Sequence, residues 1–246
     1  MATYNGERFI KEQIDSILIQ LKEDDELVIS DDQSKDSTIQ LIKTYNDQRI
    51  KLHIHEKPDG PIKNFQNALE KAKGDYIFLA DQDDVWVDGK YQKMCALLKE
   101  YDMVLSDSIV VDEDKRVLHR SFFKLYGSGK GVLRNVLKTS YFGSCMAFRR
   151  SLLDYALPFP STNEMGHDIW LGLVAEMTGK VCFLNEGLLL YRRHPDTVTA
   201  HGRGGSTRSL YTKITGRMIM FGCVAKFYIK HLLNGKRTSF YNNPNV

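Results

Sequence analysis

The chain has 246 residues, of which 42% are hydrophobic and 26% charged. This balance excludes a disordered or fibrous chain and suits one large folded domain with an appendage. The net charge of +3 hides an asymmetry, because no acidic residue follows Asp196 whereas eight basic ones do, leaving an acidic body and a basic tail.

The four cysteines, Cys95, Cys145, Cys182 and Cys223, lie far apart in apolar stretches. Without CxxC spacing they exclude a zinc ribbon or redox motif and point to reduced, buried thiols in a cytoplasmic protein. Met1-Ala2-Thr3-Tyr4-Asn5-Gly6 lacks the basic start and apolar core of a signal peptide. The longest apolar run, Met218 to Ala225, falls far short of the roughly 20 residues that span a bilayer.

From Glu7, the apolar residues Phe9, Ile10, Ile14, Ile17, Leu18 and Leu21 recur at helical spacing, and Leu27-Val28-Ile29 reads as a short buried strand. The alternation repeats: a helix over Ser37 to Tyr45, a strand over Ile50 to Ile54, and a helix over Pro61 to Ala72 with Gly74 after its end. A strand follows over Tyr76 to Ala80, then a helix over Lys90 to Tyr101. Strands are predicted at Met103 to Ser106, Ser144 to Phe148, Val181 to Leu184 and Leu188 to Tyr191, with a helix over His167 to Thr178. Such alternation predicts an α/β fold with a mixed, mainly parallel sheet covered on both faces. The domain boundary falls at the glycine-rich stretch from His201 to Ser206, giving a domain over 1–200 and a tail over 201–246.

The most informative segment is Tyr76-Ile77-Phe78-Leu79-Ala80-Asp81-Gln82-Asp83-Asp84-Val85-Trp86, three carboxylates directly after an apolar strand. A buried strand delivers its next residues to the carboxyl edge of the sheet, where open α/β folds bind ligands. Asp81 and Asp83, one residue apart, can converge on one hard divalent ion and leave positions free for diphosphate oxygens. Their mutual repulsion demands a positive charge nearby. A solvated acidic turn is the plain alternative, and an EF-hand loop fits less well, since Val85 and Trp86 stand where it needs a ligand and a glycine.

Ser30 to Thr38 follows its own strand in the same way. Asp36 suits a helix cap, while Asp31 or Asp32 could accept a hydrogen bond from a base or ribose, and Tyr4 could stack on a nucleobase. Asp168 opens the helix at His167, where an acidic residue ordinarily only favours the helix dipole but over a cleft can act as general base. Tyr191-Arg192-Arg193-His194 supplies donors suited to diphosphate or metal, or else forms a surface cluster. His53 and His55 lack a third ligand for zinc. Gly127 to Gly131 lacks the ending of a phosphate loop.

Taken together, these segments resemble glycosyltransferase family 2 enzymes of GT-A fold over nearly all of residues 2–201. Ala2 to Gly6 and Ser30 to Thr38 look like the nucleotide loops, and Asp81-Gln82-Asp83 like the DXD motif. The wording around Trp86, His167-Asp168-Ile169-Trp170 and Tyr191 to His194 is similar to the rhamnosyltransferase-like branch. The resemblance implies that Tyr4 and Asp32 hold the base of a nucleotide sugar, Asp81 its ribose, and Asp83 a Mg²⁺ or Mn²⁺ ion on the diphosphate. Asp168 would be the catalytic base of an inverting reaction, and Arg192 and His194 would close over the diphosphate.

The resemblance leans toward dTDP-rhamnose as donor, with UDP-linked hexoses using the same frame, and toward a lipid-linked saccharide acceptor of bacterial surface polysaccharide. No nucleic-acid partner is expected. The processive QxxRW-type motif is absent, which favours single-sugar transfer. The rival readings are a metal-dependent nucleotidyltransferase and an inactive sugar-nucleotide-binding remnant. Ile214, Met218, Phe221, Ala225, Tyr228, Ile229 and Leu232 form an apolar stripe with basic flanks, predicting a tail that lies on the inner face of the cell membrane, with a helix docked back on the catalytic domain as the alternative.

Family members carry a strand of about five residues ahead of the ATYNG-like segment, which here would precede Met1. Met1 is therefore expected to be an internal methionine. The neighbouring strands are expected to stand apart across a slot or to be forced together, with Ala2 to Asn5 poorly anchored.

Overall fold

The structure, a computed structural model, describes residues 1–195 and 209–233. In the first half β1 (Ala2–Thr3), β2 (Leu27–Asp31) and β3 (Ile50–Ile54) form a parallel three-stranded sheet. They are linked by α1 (Ile10–Leu18) and α2 (Thr38–Lys43), and α3 (Gly60–Lys71) leads to β4 (Tyr76–Phe78). Ile10, Ile14 and Ile17 are buried on one face of α1, as their spacing dictates. All of β2 is buried, which is why Leu27-Val28-Ile29 reads as an unbroken apolar run.

The second half contributes β5 (Val85–Trp86), α4 (Lys90–Leu97), β6 (Met103–Val111), β7 (Val117–His119), α5 (Phe122–Tyr126) and α6 (Val132–Leu137). After these come β8 (Met146–Arg149), α7 (Leu153–Ala156), α8 (His167–Thr178), β9 (Val181–Arg192) and α9 (Leu210–Leu233). The second sheet runs β4-β8-β6-β9-β5, with β7 on β6; β6 and β9 are parallel and their other partners antiparallel. Two strands predicted at Val181 to Leu184 and Leu188 to Tyr191 are one strand with a bulge: Ser106 pairs with Leu184 but Asp107 with Gly187, and the unpaired residues between break the alternation. The pairing of β5 with β9 sets Val85 opposite Leu190 and so carries the residues after β9 to the Asp81–Asp84 loop.

The two sheets do not join. Between β2 and β4 lies a cavity of about 580 Å³ lined by Met1, Leu27, Val28, Ile77, Leu79 and Trp86, among others, which is the expected slot. The expected loose anchoring of Ala2 to Asn5 is not found. Ala2 and Thr3 pair with Ser30 and Asp31, the Tyr4 amide donates to Gln82 Oε1 at 2.8 Å, and the Asn5 amide donates to Ser34 Oγ at 2.9 Å. The loops on either side supply these partners, so the segment is held without a long strand. The Met1 amine, buried, donates to Val28 O at 2.8 Å, and burial lowers its pKa from 8.0 to about 5 despite the nearby Asp81.

The C-terminal helix has two faces. Met220 and Phe227 are buried, with Phe227 edge-on to Trp170 of α8 at 5.5 Å between ring centroids. The stripe anticipated from the sequence is the opposite face: Ile214, Met218, Phe221, Tyr228 and Ile229 are all exposed. The glycine-rich stretch at 201–206 and the side chain of Leu232 lie outside the described residues.

Adding about five strand-forming apolar residues ahead of Met1 should place a strand in the slot and convert the buried amine into an amide. The extension is expected to raise Tm by more than about 5 °C near neutral pH, read by calorimetry. An unchanged Tm would show that the slot does not accept a strand.

Candidate active site

The ends of β2, β4 and β9 and the start of α8 meet around a cavity of about 750 Å³. Its wall includes Tyr4, Asp32, Asp81, Asp83, Asp168 and His194. Arg192, also expected there, is not on that wall.

At one end the loops over Ala2 to Gly6 and Ser30 to Thr38 are held mainly by side-chain hydrogen bonds. Asp31 accepts from Thr3 Oγ1 and the Ser34 amide, each at 2.8 Å, which fixes the turn after β2. Asp32 accepts from the amides of Asp59 and Gly60 at 2.8 and 2.9 Å and so ties the start of α3 to the same turn. Asp36, expected to cap α2, does not: the N-cap position is held by Ser37 without a side-chain cap, and Asp36 instead accepts from the Thr38 amide at 3.0 Å and closes the turn before the helix. Tyr4 is 51% exposed, its ring free to meet a flat ligand. Asn64, which sequence reading missed, donates to Thr3 O at 3.0 Å and leaves its buried Oδ1 without a partner at the cavity.

The acidic loop beyond β4 is dense with charge. Burial, then Asp83 and Asp168, raises the Asp81 carboxyl from 3.8 to about 7. Burial, then Asp83 and Asp81, raises Asp84 well above its ordinary value; its Oδ1 accepts from the Arg192 amide at 3.0 Å, and Oδ2 has no hydrogen-bond partner. The positive charge that the motif demanded is Lys90, fully buried. Its Nζ donates to Ser144 O at 2.7 Å and lies 5.3 Å from the centroid of the Trp86 ring. Burial lowers the Lys90 pKa to about 8, while Cys145, Asp84 and Asp81 pull it back up. Its position offered a clue, since Lys90 opens α4, where a helix N-terminus disfavours a cation.

Asp83 Oδ2 stands 2.9 Å from His194 Nε2, and the imidazole packs on Phe9 with centroids 4.9 Å apart. Arg192 serves the loop from behind. Its guanidinium donates to Asp83 O at 2.8 Å and to Glu113 O at 2.6 Å, pairs with Glu12, and is 3% exposed. Among the described residues no three His, Cys, Asp or Glu side chains form a metal cage. A loop whose Asp81 and Asp84 carboxyls are raised by burial and then by neighbouring carboxylates nevertheless fits a hard divalent cation that takes its remaining ligands from substrate oxygens.

Opposite this loop, Asp168 lies in the first turn of α8. Burial raises its pKa from 3.8 to about 6, against the hydrogen bond from the Ile169 amide at 2.8 Å. A Cβ at Gly166 would come within 2.5 Å of Asp168 Oδ1, so the glycine makes room for the carboxylate. His167 stacks on Phe65 with centroids 3.8 Å apart, and burial lowers its pKa to about 3, keeping it neutral. The cavity thus brings together the Asp168 carboxylate, the acidic loop and the exposed Tyr4 ring.

The sequence model of the family described as Glycosyl transferase family 2 matches residues 1–156. The chain belongs to that family. It is 27% identical over 187 residues to the UDP-Glc:alpha-D-GlcNAc-diphosphoundecaprenol beta-1,3-glucosyltransferase WfgD of Escherichia coli, spanning 72% of this chain and 68% of that protein. It is 34% identical over 119 residues to the putative glycosyltransferase EpsE of Bacillus subtilis, spanning 46% of this chain and 43% of that one. The chain therefore spans less than half of EpsE. In fold it is similar to S. aureus TarS 1-349 in complex with UDP-GlcNAc, with a TM-score of 0.68 and 20% identity over 100% of this chain and 75% of that one. It is also similar to the mannosyltransferase PcManGT from Pyrobaculum calidifontis in complex with GDP-Man and Mn2+, with a TM-score of 0.60 and 18% identity over 98% and 79%. The frame of this glycosyltransferase is the GT-A fold, as the sequence resemblance implied.

The Asp168 carboxyl, raised from 3.8 to about 6, costs the fold stability above the higher value and nothing below the lower. Asp168→Asn keeps an oxygen for the Ile169 amide and removes that cost. It is expected to raise Tm by a few degrees at about pH 8, with the gain fading as pH falls through about 6 toward 4, read by calorimetry across pH.

Proposed function

We propose that this glycosyltransferase moves a single sugar from a nucleoside-diphosphate sugar to a saccharide hydroxyl by one inverting displacement, in bacterial surface polysaccharide synthesis. The observation that carries the reading is the shared cavity, in which a half-buried carboxylate at a helix start stands across from carboxylates suited to a hard cation. Asp168 takes the proton of the acceptor hydroxyl as its oxygen attacks the anomeric carbon, and the bond from that carbon to the diphosphate breaks on the opposite side. A pKa of about 6 makes Asp168 a stronger base than an ordinary carboxylate while leaving it ionised near neutral pH.

Tyr4 stacks on the base, Asp32 accepts a hydrogen bond from it, and Asp81 accepts one from the ribose. His194, through Nε2, steadies Asp83 beside the diphosphate, and Arg192 positions the loop from behind. Asp83 would hold Mg²⁺ or Mn²⁺, which when bound supplies positive charge against that developing on the leaving diphosphate. The donor we favour is a UDP-linked hexose rather than dTDP-rhamnose, supported by the UDP-Glc in the name of WfgD and the UDP-GlcNAc bound to TarS. The diphosphoundecaprenol acceptor of WfgD and the Mn2+ of PcManGT support a lipid-linked acceptor and a divalent metal.

Asp83→Ala is expected to abolish metal-dependent release of UDP from UDP-sugars. Asp168→Asn should retain donor binding and lose about two to four orders of magnitude in kcat. Near-normal turnover by Asp168→Asn would remove its role as base, and release of pyrophosphate instead of nucleoside diphosphate would indicate nucleotidyl transfer.

A membrane surface is the second proposed partner, on the cytoplasmic side of the cell membrane. Among the described residues no helix is long and apolar enough to cross a bilayer. The outward face of α9 nevertheless exposes Ile214, Met218, Tyr228 and Ile229 at 51–67%, with Lys226 and Lys230 also exposed. Apolar insertion flanked by basic side chains suits anionic headgroups. Replacing Ile214, Met218 and Ile229 by Glu leaves the Met220 and Phe227 face untouched. It should cut flotation with anionic vesicles at least about tenfold with little change in Tm; equal flotation would overturn the membrane role.

A further inference from the structure

Gln82 stands between Asp81 and Asp83, yet both ends of its amide are engaged by Tyr4. Its Oε1 accepts the Tyr4 amide at 2.8 Å and its Nε2 donates to Tyr4 O at 2.9 Å. This is the exchange made by a hydrogen-bonded residue pair in an antiparallel ladder, with a side chain in place of one strand. Room for it is left at Gly6, where a Cβ would come within 2.3 Å of Gln82 Oε1. The same short segment is tied on its other side to the turn after β2, where the Asn5 amide donates to Ser34 Oγ at 2.9 Å and Asn5 Oδ1 accepts the Lys35 amide at 2.7 Å. Gln82 therefore links two loops that belong to different sheets, across the gap at which those sheets fail to join.

We propose that Gln82 is a positioning residue that couples the two halves of the donor site. It holds the Tyr4 loop at a fixed distance from Asp81 and Asp83, so that a nucleoside seated on one loop presents its diphosphate to a cation on the other. This inference rests on the nucleotide-sugar reading above. Without the link, each loop still binds its own part of the ligand, but the ordering of the two becomes a cost of binding. The loss falls on donor affinity and on the mutual reinforcement of nucleotide and metal, because Gln82 does not touch the reacting atoms.

The experiment is calorimetric titration of UDP, dTDP and GDP into the wild type and Gln82→Ala, with and without MnCl₂, together with steady-state kinetics on the matching sugar nucleotide. Expected for Gln82→Ala are an approximately tenfold weaker nucleoside diphosphate in the presence of Mn²⁺, a smaller Mn²⁺-dependent gain in affinity, and a matching rise in donor KM with kcat within about threefold. A merely structural role would lower Tm and leave both the KM-against-kcat split and the Mn²⁺ gain unmoved. Gly6→Ala displaces the Gln82 amide without removing it and is expected to give the same pattern, so the test survives if one variant folds poorly. Affinities and Mn²⁺ gain within twofold of wild type in either folded variant overturn the coupling. If the wild type binds none of the three nucleotides, the nucleotide-sugar reading itself falls.

Discussion

The crowding of Asp81, Asp83 and Asp84 at the end of an apolar strand is the constraint around which the rest of the molecule is arranged. Burial and mutual repulsion raise Asp81 and Asp84, and in a low-dielectric interior such a cluster is unfavourable without nearby cations. The chain answers with Lys90 buried beneath the loop, over Trp86. Arg192 lies behind the loop, bonded to Asp83 O and holding Asp84 by its amide. What these groups leave uncompensated faces the cavity, where Asp81 and Asp83 form part of the wall.

The same loop is also the seam of the fold. Among the described residues the loops after β1 and β2 belong to one sheet and the acidic loop to another, and the two must be held together. Side chains take over that task. Gln82 bridges to Tyr4, Gln13 Nε2 donates to Asp81 O at 2.7 Å, and Asn64 Nδ2 reaches Thr3 O at 3.0 Å. A site assembled this way is exact in geometry yet depends on a few amides, each worth about 1 kcal/mol net.

Motif residues divide into those that meet the cavity and those that build it. Tyr4, Asp83, Asp168 and His194 line it, whereas Asp31 and Arg192 spend their polar atoms on backbone and neighbouring side chains. Arg192 pairs with Val111 of β6 at the end of β9, and its side chain reaches Glu12 and Glu113 O. The C-terminal helix shows a related division, with Met220 and Phe227 docked on the domain and a second apolar face left outward.

The periodic segments were legible in the chain itself. The Ile50 to Ile54 strand and the His167 to Thr178 helix fall where apolar spacing and the Gly179 stop put them, because those signals are local. The acidic run after Tyr76 to Ala80 marked one edge of the site for the same reason, since a buried strand fixes where its next residues emerge. Tertiary structure alone decided which strands pair, that β9 is one bulged strand, and that α9 docks by the face opposite the anticipated stripe. It also decided that Lys90 is the counter-charge and that Gln82 closes the seam. Each of these depends on contacts between residues distant in sequence, as with Lys90 and Ser144 or Tyr4 and Gln82. No pattern along the chain encodes such contacts, because their energy exists only once the chain has brought the groups together and excluded water from them.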